Sequence, residues 1–147
     1  MNSLFIEEGF RDITNRLNAL SATSERKWGK MTVGQMLWHC QLPLKLAIEN
    51  KQPKKRGSLI ARIFFKKAMY NDKPWRKNLP TAPKLKARDT KIFDEEIAKL
   101  RQLIEATHNL KNRKEWHPHP MFGVFTHEQW GQMQYKHLDH HLRQFGV

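Results

Sequence analysis

The stretch THEQWGQMQYKHLDHHLRQF, residues 126–145, decides the fold of this chain. It predicts a helix on which His137 and His141, four residues apart, lie one turn from each other on one face. The same face carries Trp130, Met133 and Gln144. The two histidines therefore follow an apolar stripe of the kind that packs against a core. One helix can thus offer two imidazoles to a single metal ion, and we expect another part of the chain to supply a third ligand.

Three further long helices are predicted from hydrophobic periodicity and from helix-start signals. The first covers residues 4–20, the second runs from Thr32 to about Asn50, and the third covers about 89–109 with Asp89 as N-cap. The second and last helices each begin with a T-x-x-Q capping box, in which the two side chains satisfy free amides of the first turn. These boxes are Thr32 with Gln35 and Thr126 with Gln129.

The connection between the second and third helices is long. Ser58 can cap a short helix over residues 59–70, whose Ile60, Ile63, Phe64 and Met69 would pack on the other helices, and a proline-rich extended stretch follows over 71–83. A connection of this length permits a crossover in place of a short hairpin loop. We predict an all-α fold, a four-helix bundle with a long crossover and one short extra helix, as a single domain over residues 1–147.

The net charge of +13 is concentrated in this connection. Residues 51–91 hold 14 Lys and Arg against Asp72 and Asp89, a net of +12, so the rest of the chain carries about +1. No run of about 18 apolar residues predicts a transmembrane helix, and the acidic N-terminus does not resemble a signal peptide. The lone cysteine, Cys40, rules out an internal disulfide. We therefore expect a cytoplasmic protein without a membrane partner.

His39, on the second helix, is the candidate for the third ligand. If the second and last helices are neighbours, His39, His137 and His141 can converge and leave coordination positions of a divalent ion open, with Zn²⁺ or Ni²⁺ favoured. Pro43 removes the amide that would bond to the His39 carbonyl, so it either re-aims His39 or merely bends the helix. Spacing alone slightly favours ordinary hydrogen-bonded histidines over a metal site.

The remaining histidines are weaker candidates. His140 can also share a face with His137, but the apolar stripe favours His141. His117 and His119 lie in a proline-flanked loop that either borders the site or is simply rigid, with Phe122 and Phe125 closing the end of the bundle. His108 and His127 are expected at the surface, and Asp139 in solvent. Cys40 is expected to be a small core residue.

Three segments resemble the DinB/YfiT-like superfamily, and most closely its branch of small bacterial domains of unknown function. They are MTVGQMLWHC (31–40), HPMFGVFTHEQW (119–130) and YKHLDHHLRQFG (135–146). The resemblance implies a four-helix bundle and a divalent-metal site with one histidine from the second helix and two from the last. Those positions are His39, His137 and His141 here. Characterised relatives implied by the resemblance include thiol transferases and a hydrolase-like group.

Three hypotheses for function follow. The first is a metal-dependent hydrolase or thiol transferase acting on an unknown small molecule, in which Gln35 either orients a ligand or only caps its helix. The second is binding of nucleic acid or another anionic surface by residues 51–91, where Phe64, Phe65, Tyr70 and Trp75 alternate with cations. The third is a structural role as a homodimer.

Overall fold

The computed structural model describes residues 2–55 and 57–147, and they are mostly helical. Four long helices are present, α1 (Glu7–Asn18), α2 (Val33–Glu49), α3 (Phe93–His108) and α4 (His127–Gln144). Short helical turns occur at Ala61–Phe65, Lys67–Met69, Pro83–Leu85 and Asn109–Asn112. Over the described ranges no β-strand forms, only an isolated bridge between His119 and Gly123. The predicted all-α class is confirmed.

Both predicted capping boxes are present. The hydroxyl of Thr32 accepts from the Gln35 amide and the Gln35 side chain accepts from the Thr32 amide, which fixes the start of α2. Thr126 and Gln129 exchange the same pair of bonds at the start of α4. Each box satisfies amides that have no partner inside the helix. The helix starts at Thr32 and Thr126 were therefore correctly predicted.

α2 is central to the packing. It contacts α3 most extensively and also contacts α4, while α1 packs on α4 and α3. α2 runs without a break through Pro43. The side-chain amide of Gln134 on α4 donates to the Pro43 carbonyl at 3.0 Å, which ties α2 to α4 one turn from His39. The core between these helices is apolar and is formed mainly by Ile13, Leu17, Met36, Leu37, Leu44, Leu100, Ile104, Leu138 and Leu142.

Two helices begin later than predicted. α1 begins at Glu7 because the amide of Leu4 bonds to the carbonyl of Gly131 at 3.0 Å, which holds the preceding residues against α4. Ile6 consequently stands 46% exposed outside the apolar face. α3 begins at Phe93 with Ile92 as N-cap, so the prediction that Asp89 caps it was wrong. Asp89 instead pairs with Lys91 at 3.0 Å.

The crossover segment, residues 50–92, differs most from expectation. The predicted helix over 59–70 is present but irregular, since Ala61–Phe65 is a π-helical turn and Lys67–Met69 a 3-10 turn. Ser58 does accept a hydrogen bond from the Ala61 amide, as a capping residue would. The packing prediction was wrong for Ile60, Ile63 and Phe64, which are 61–71% exposed, whereas Met69 does pack against the buried side chains of α4.

Within the described residues, no helix is both long and apolar enough to cross a bilayer.

Candidate metal centre

Three histidines meet where α2 and α4 pack together. His39, His137 and His141 are all buried, and one ring nitrogen of each lies within 4.8 Å of the other two. The Nε2 atoms of His39 and His137 are 3.1 Å apart. Two nitrogens bound to one tetrahedral Zn²⁺ at about 2.0–2.1 Å stand about 3.3–3.4 Å apart, so this pair is within a few tenths of an ångström of that spacing. The predicted convergence of these residues on one place is therefore present.

Hydrogen bonds orient two of the three rings. Nδ1–H of His39 donates to the carbonyl of Leu85 at 2.8 Å, because a carbonyl can only accept. Nδ1–H of His141 donates to Oε1 of Gln144 at 2.9 Å, and the amide nitrogen of Gln144 donates to the Trp28 carbonyl at 3.0 Å. Both rings consequently carry an acceptor lone pair on Nε2, and that of His39 faces Nε2 of His137. Such outer partners are the usual means by which a metal-binding histidine is fixed in tautomer and direction.

His137 lacks a partner of this kind. Its Nδ1 is buried with no hydrogen-bond partner among the described residues. If the ring carries its proton on Nδ1, that N–H is unsatisfied and two lone pairs face each other across 3.1 Å to His39. If the proton sits on Nε2, that N–H donates to Nε2 of His39, and Nδ1 is left as an unsatisfied acceptor. An unmet buried polar group costs about 1–3 kcal/mol, and a cation between the Nε2 atoms would remove the lone-pair repulsion.

The electrostatics keep the cluster neutral. Burial lowers the pKa of His141 to about 3, and burial followed by the neighbouring His141, His39 and His140 rings lowers the pKa of His137 well below its ordinary value. Burial also lowers the pKa of His39, against the opposing effect of its bond to Leu85. A metal ligand must be unprotonated. At neutral pH no proton therefore competes for these nitrogens.

The cluster opens into a cavity of about 670 Å³. One side of the cavity is formed by α2 and α4, and the other by a roof from the crossover segment, made of Met69, Trp75, residues 78–82 and residues 85–87. The Trp75 ring centroid lies 5.9 Å from that of His137 and 5.4 Å from that of His140. The crossover segment is therefore a wall of the site, which the hydrophobic pattern did not indicate.

Lys136, directly before His137, holds this roof in place. Its side chain is buried and its Nζ donates to the carbonyls of Ala68 and Asn71 and to Oδ1 of Asn71, at 2.6–2.7 Å. The indole N–H of Trp75 donates to the same Ala68 carbonyl at 2.7 Å. Burial lowers the pKa of Lys136. One helical turn of α4 thus supplies both a cluster histidine and the anchor for the opposite wall.

The neighbouring candidates have other roles. His140 lines the cavity beside Trp28 and Trp75 but lies outside the three-histidine cluster. Asp139 is not simply solvated, since it pairs with Arg16 at 2.9 Å. Cys40 is a buried core residue, as predicted, and burial raises the pKa of its thiol. Gln35 caps α2 and also lines the cavity.

The loop histidines divide unexpectedly. His119 lines the cavity, and its Nδ1 accepts from the amides of Met121 and Phe122, while His117 is exposed. Burial lowers the pKa of His119 to about 4.

The prediction of a surface position is wrong for His108, which is buried and donates to the carbonyl of Leu4 at 2.8 Å. His127 is half-buried and stacks on Phe5.

The family described as "Protein of unknown function (DUF1569)" matches residues 2–146. The chain belongs to this family. The match covers all four helices and the crossover segment of this DUF1569 protein, including every residue of the histidine cluster. No curated protein and no solved structure matches the chain.

The donor set of this DUF1569 protein suits a divalent ion. Three neutral imidazoles are the ligands that Zn²⁺ and Ni²⁺ accept readily, whereas Mg²⁺ and Ca²⁺ prefer oxygen. The observation that fits a metal site is that Nδ1–H of His39 and of His141 is bonded outward, which turns the Nε2 acceptors of both rings toward the cluster. The cavity beside the cluster leaves room for a further ligand.

Proposed function

We propose that this protein is a metal-dependent enzyme, a hydrolase or thiol transferase acting on a small molecule. His39, His137 and His141 would bind Zn²⁺ or Ni²⁺. The observation that carries the proposal is the cluster itself, in which three buried neutral imidazoles adjoin a cavity and two are oriented by outer hydrogen bonds. The resemblance to the DinB/YfiT-like superfamily supports it, and with it a four-helix bundle forming one domain.

An ion held by three histidines supplies a Lewis-acid position that lowers the pKa of a bound water or thiol. The chain itself contributes orientation and exclusion of water. The Leu85 carbonyl and Gln144 fix the rings of His39 and His141, and Trp75 covers His137. Because the roof is anchored by Lys136, the cavity keeps its shape around whatever it binds.

The cavity wall indicates the charge of the substrate. The described residues that line it include Lys30 and Lys86 but no Asp or Glu, and most of the rest are apolar. A cationic substrate would be repelled by these lysines and by the metal ion. We therefore propose a neutral or anionic small molecule with an apolar body, such as an ester, an amide or a thiol.

Metal content tests the proposal. We expect elemental analysis of protein purified without a nickel column to find about one Zn or Ni per chain in the wild type, and none in His137→Ala. His117→Ala is the matched control, since His117 is exposed and should leave the content unchanged. A wild type that carries no metal after growth with added zinc and nickel would end the proposal.

The reaction class needs a separate assay. The metal-loaded wild type and His137→Ala would be compared on a panel of carboxylic esters and amides, and on thiol acceptors with an alkylating donor. Turnover of esters or amides alone assigns a hydrolase, and consumption of thiol alone assigns a transferase. Metal binding without turnover of any member of either panel would contradict the enzymatic part of the proposal while leaving the metal site intact.

A further inference from the structure

The crossover segment exposes an apolar face beside the site. We define the exposed turn as residues 58–67, which follow the basic stretch KQPKKRG and include Ala61–Phe65. Five large apolar side chains in it are between 55% and 71% exposed: Leu59, Ile60, Ile63, Phe64 and Phe65. Scattered exposed apolar residues are ordinary, but five within seven positions form a patch of the kind that marks an interaction site.

The exposed turn is attached to the protein through its polar side chains. Arg62 lies against Gly123, where an added Cβ would stand 2.8 Å from the Arg62 Nε. The Lys66 Nζ lies 5.6 Å from the centroid of the Phe125 ring. The large apolar side chains are thus exposed where an amphipathic turn would ordinarily bury them, while Lys66 is half-buried and Arg62 and Lys67 are exposed. Such exposure costs stability unless the apolar side is covered by a partner.

Positive charge surrounds this apolar face. Between Asn50 and Asn71 the sequence has seven Lys and Arg and no acidic residue. Lys54 and Lys55 are exposed, and Lys55 lines a small cavity of about 350 Å³ together with Arg62. Any partner must therefore satisfy two requirements at once, an apolar phase for the five side chains and a negative surface for the cations.

We propose that the exposed turn binds the surface of an anionic lipid bilayer. Its Leu, Ile and Phe side chains would enter the boundary between headgroups and acyl chains, while the lysines contact the anionic headgroups. The proposal departs from the expectation of no membrane partner. That expectation rested on the absence of a membrane-spanning run, which concerns crossing a bilayer and not lying on it.

Two other partners fit the observations less well. Nucleic acid would neutralise the cations and could stack on the exposed Phe64 and Phe65, but it would leave Leu59, Ile60 and Ile63 uncovered, and Trp75 is engaged at the histidine cluster. A second copy of this chain would cover the apolar face but would bring two crossover segments of net charge +12 together. Like charges placed opposite each other disfavour such an interface.

Vesicle flotation tests the proposal with the full-length protein. The wild type should bind vesicles of phosphatidylcholine mixed with phosphatidylglycerol and ignore phosphatidylcholine alone. Ile60→Asn with Phe64→Asn removes exposed apolar surface, and Lys54→Gln with Lys55→Gln removes charge. Each pair should weaken partitioning more than about tenfold, because both apolar insertion and about 1 kcal/mol per lysine contribute.

Matched controls lie outside the turn. Ile92→Asn removes an exposed apolar side chain of similar size, and Lys111→Gln with Lys114→Gln removes two exposed charges elsewhere. Both controls should bind vesicles like the wild type. Thermal melting and metal content of every variant report on folding and on the histidine cluster, so a failure of vesicle binding is distinguishable from a failure of the proposed enzyme.

Four outcomes would overturn the proposal. The first is a wild type that does not bind anionic vesicles at low salt. The second is a variant with Ile60→Asn and Phe64→Asn that binds as well as the wild type. The third is vesicle binding that the control variants lose equally. The last is a wild type that binds duplex DNA or forms a dimer through Ile60 and Phe64 while ignoring vesicles, which would assign the turn to that partner instead.

Discussion

At the residue scale, the cluster depends on which ring nitrogen carries each proton. Gln144 decides this for His141, because its oxygen accepts from Nδ1 and its amide is held by the Trp28 carbonyl. The carbonyl of Leu85 decides it for His39. A metal-binding imidazole in the wrong tautomer presents an N–H to the ion, so these outer groups bear directly on affinity.

Gln144→Met should weaken metal binding without leaving a cavity in the core. Methionine fills a similar volume but accepts no hydrogen bond from Nδ1, so the His141 ring loses its fixed tautomer. We expect zinc affinity, measured by competition with a chelating dye, to fall about 10–100-fold. Gln132→Met on the same helix is the control and should bind zinc like the wild type. Equal affinities in the two variants would contradict a role for Gln144 at the site.

The lowered histidine pKa values predict acid sensitivity of the metal-free protein. Unfolded histidines titrate near pH 6.5, whereas burial lowers the pKa of His141 to about 3 and that of His119 to about 4. Below pH 6.5 the unfolded chain binds protons that the folded chain does not. The free energy of unfolding should therefore fall by about 1.6 kcal/mol for each such histidine as the pH drops from 6.5 to 5, with a slope that approaches about 1.4 kcal/mol per pH unit.

Urea unfolding with a chelator at several pH values measures this slope. His141→Met removes one of the groups and should flatten the slope by up to about 1.4 kcal/mol per pH unit. His117→Ala, at an exposed position, should leave it unchanged. A wild-type stability that is constant between pH 6.5 and 5 would show that the buried histidines do not resist protonation.

The two histidines of α4 were predictable and their partners only partly so. The four-residue spacing of His137 and His141 is a local property of a helix. Gln144 lies three residues after His141, so its hydrogen bond was also within reach of the pattern. The Leu85 carbonyl was not, because it is a backbone atom 46 positions from His39 in a segment without periodicity. His108 was misplaced for the same reason, since its partner is the Leu4 carbonyl.

At the element scale, the helices and the crossover segment differ in what determines them. α2 and α4 begin where their capping boxes lie, and such signals act within four residues. The crossover segment is instead placed by distant contacts, above all the bonds from Lys136 to Ala68 and Asn71. Its amphipathic pattern suggested packing, but the large apolar side chains of its turn are exposed. Local periodicity could not show this exposure.

Lys136→Met should release the roof of the cavity. The variant keeps an apolar stem but loses three hydrogen bonds, so the carbonyls of Ala68 and Asn71 lose a charged donor. We expect trypsin to cleave after Arg76 or Lys77 several-fold faster, because cleavage needs a locally opened chain. Lys45→Met, at an exposed position of α2, is the control. Equal cleavage rates in the two variants would show that Lys136 does not hold the roof.

At the scale of the whole molecule, the histidine cluster joins α2 to α4 across almost a hundred residues of sequence. An ion bound there would act as a link between two helices that otherwise meet through apolar contacts and the Gln134 bond. Because the linked arrangement exists only in the folded chain, binding of the ion must add to global stability.

Added zinc should therefore stabilise the whole protein. At a free zinc concentration of 100 times the dissociation constant, the gain in unfolding free energy is about 2.7 kcal/mol. Thermal melting with and without zinc measures it, and His39→Ala should remove the gain. His117→Ala should keep it. A wild type whose melting temperature does not change with zinc or nickel would count against a site in the folded state.

The capping box at Thr126 fixes where α4 begins, and with it the position of every later residue on that helix. His137, His141, Gln144 and the roof anchor Lys136 all follow it on one uninterrupted helix. Each residue turns an α-helix by about 100°, so inserting one residue between 127 and 135 would rotate this whole group away from α2 and the crossover segment. The directions of the two histidines, of Gln144 and of Lys136 are therefore all set by the same helical register. A change in the length of α4 ahead of these residues would therefore disturb all of them at once.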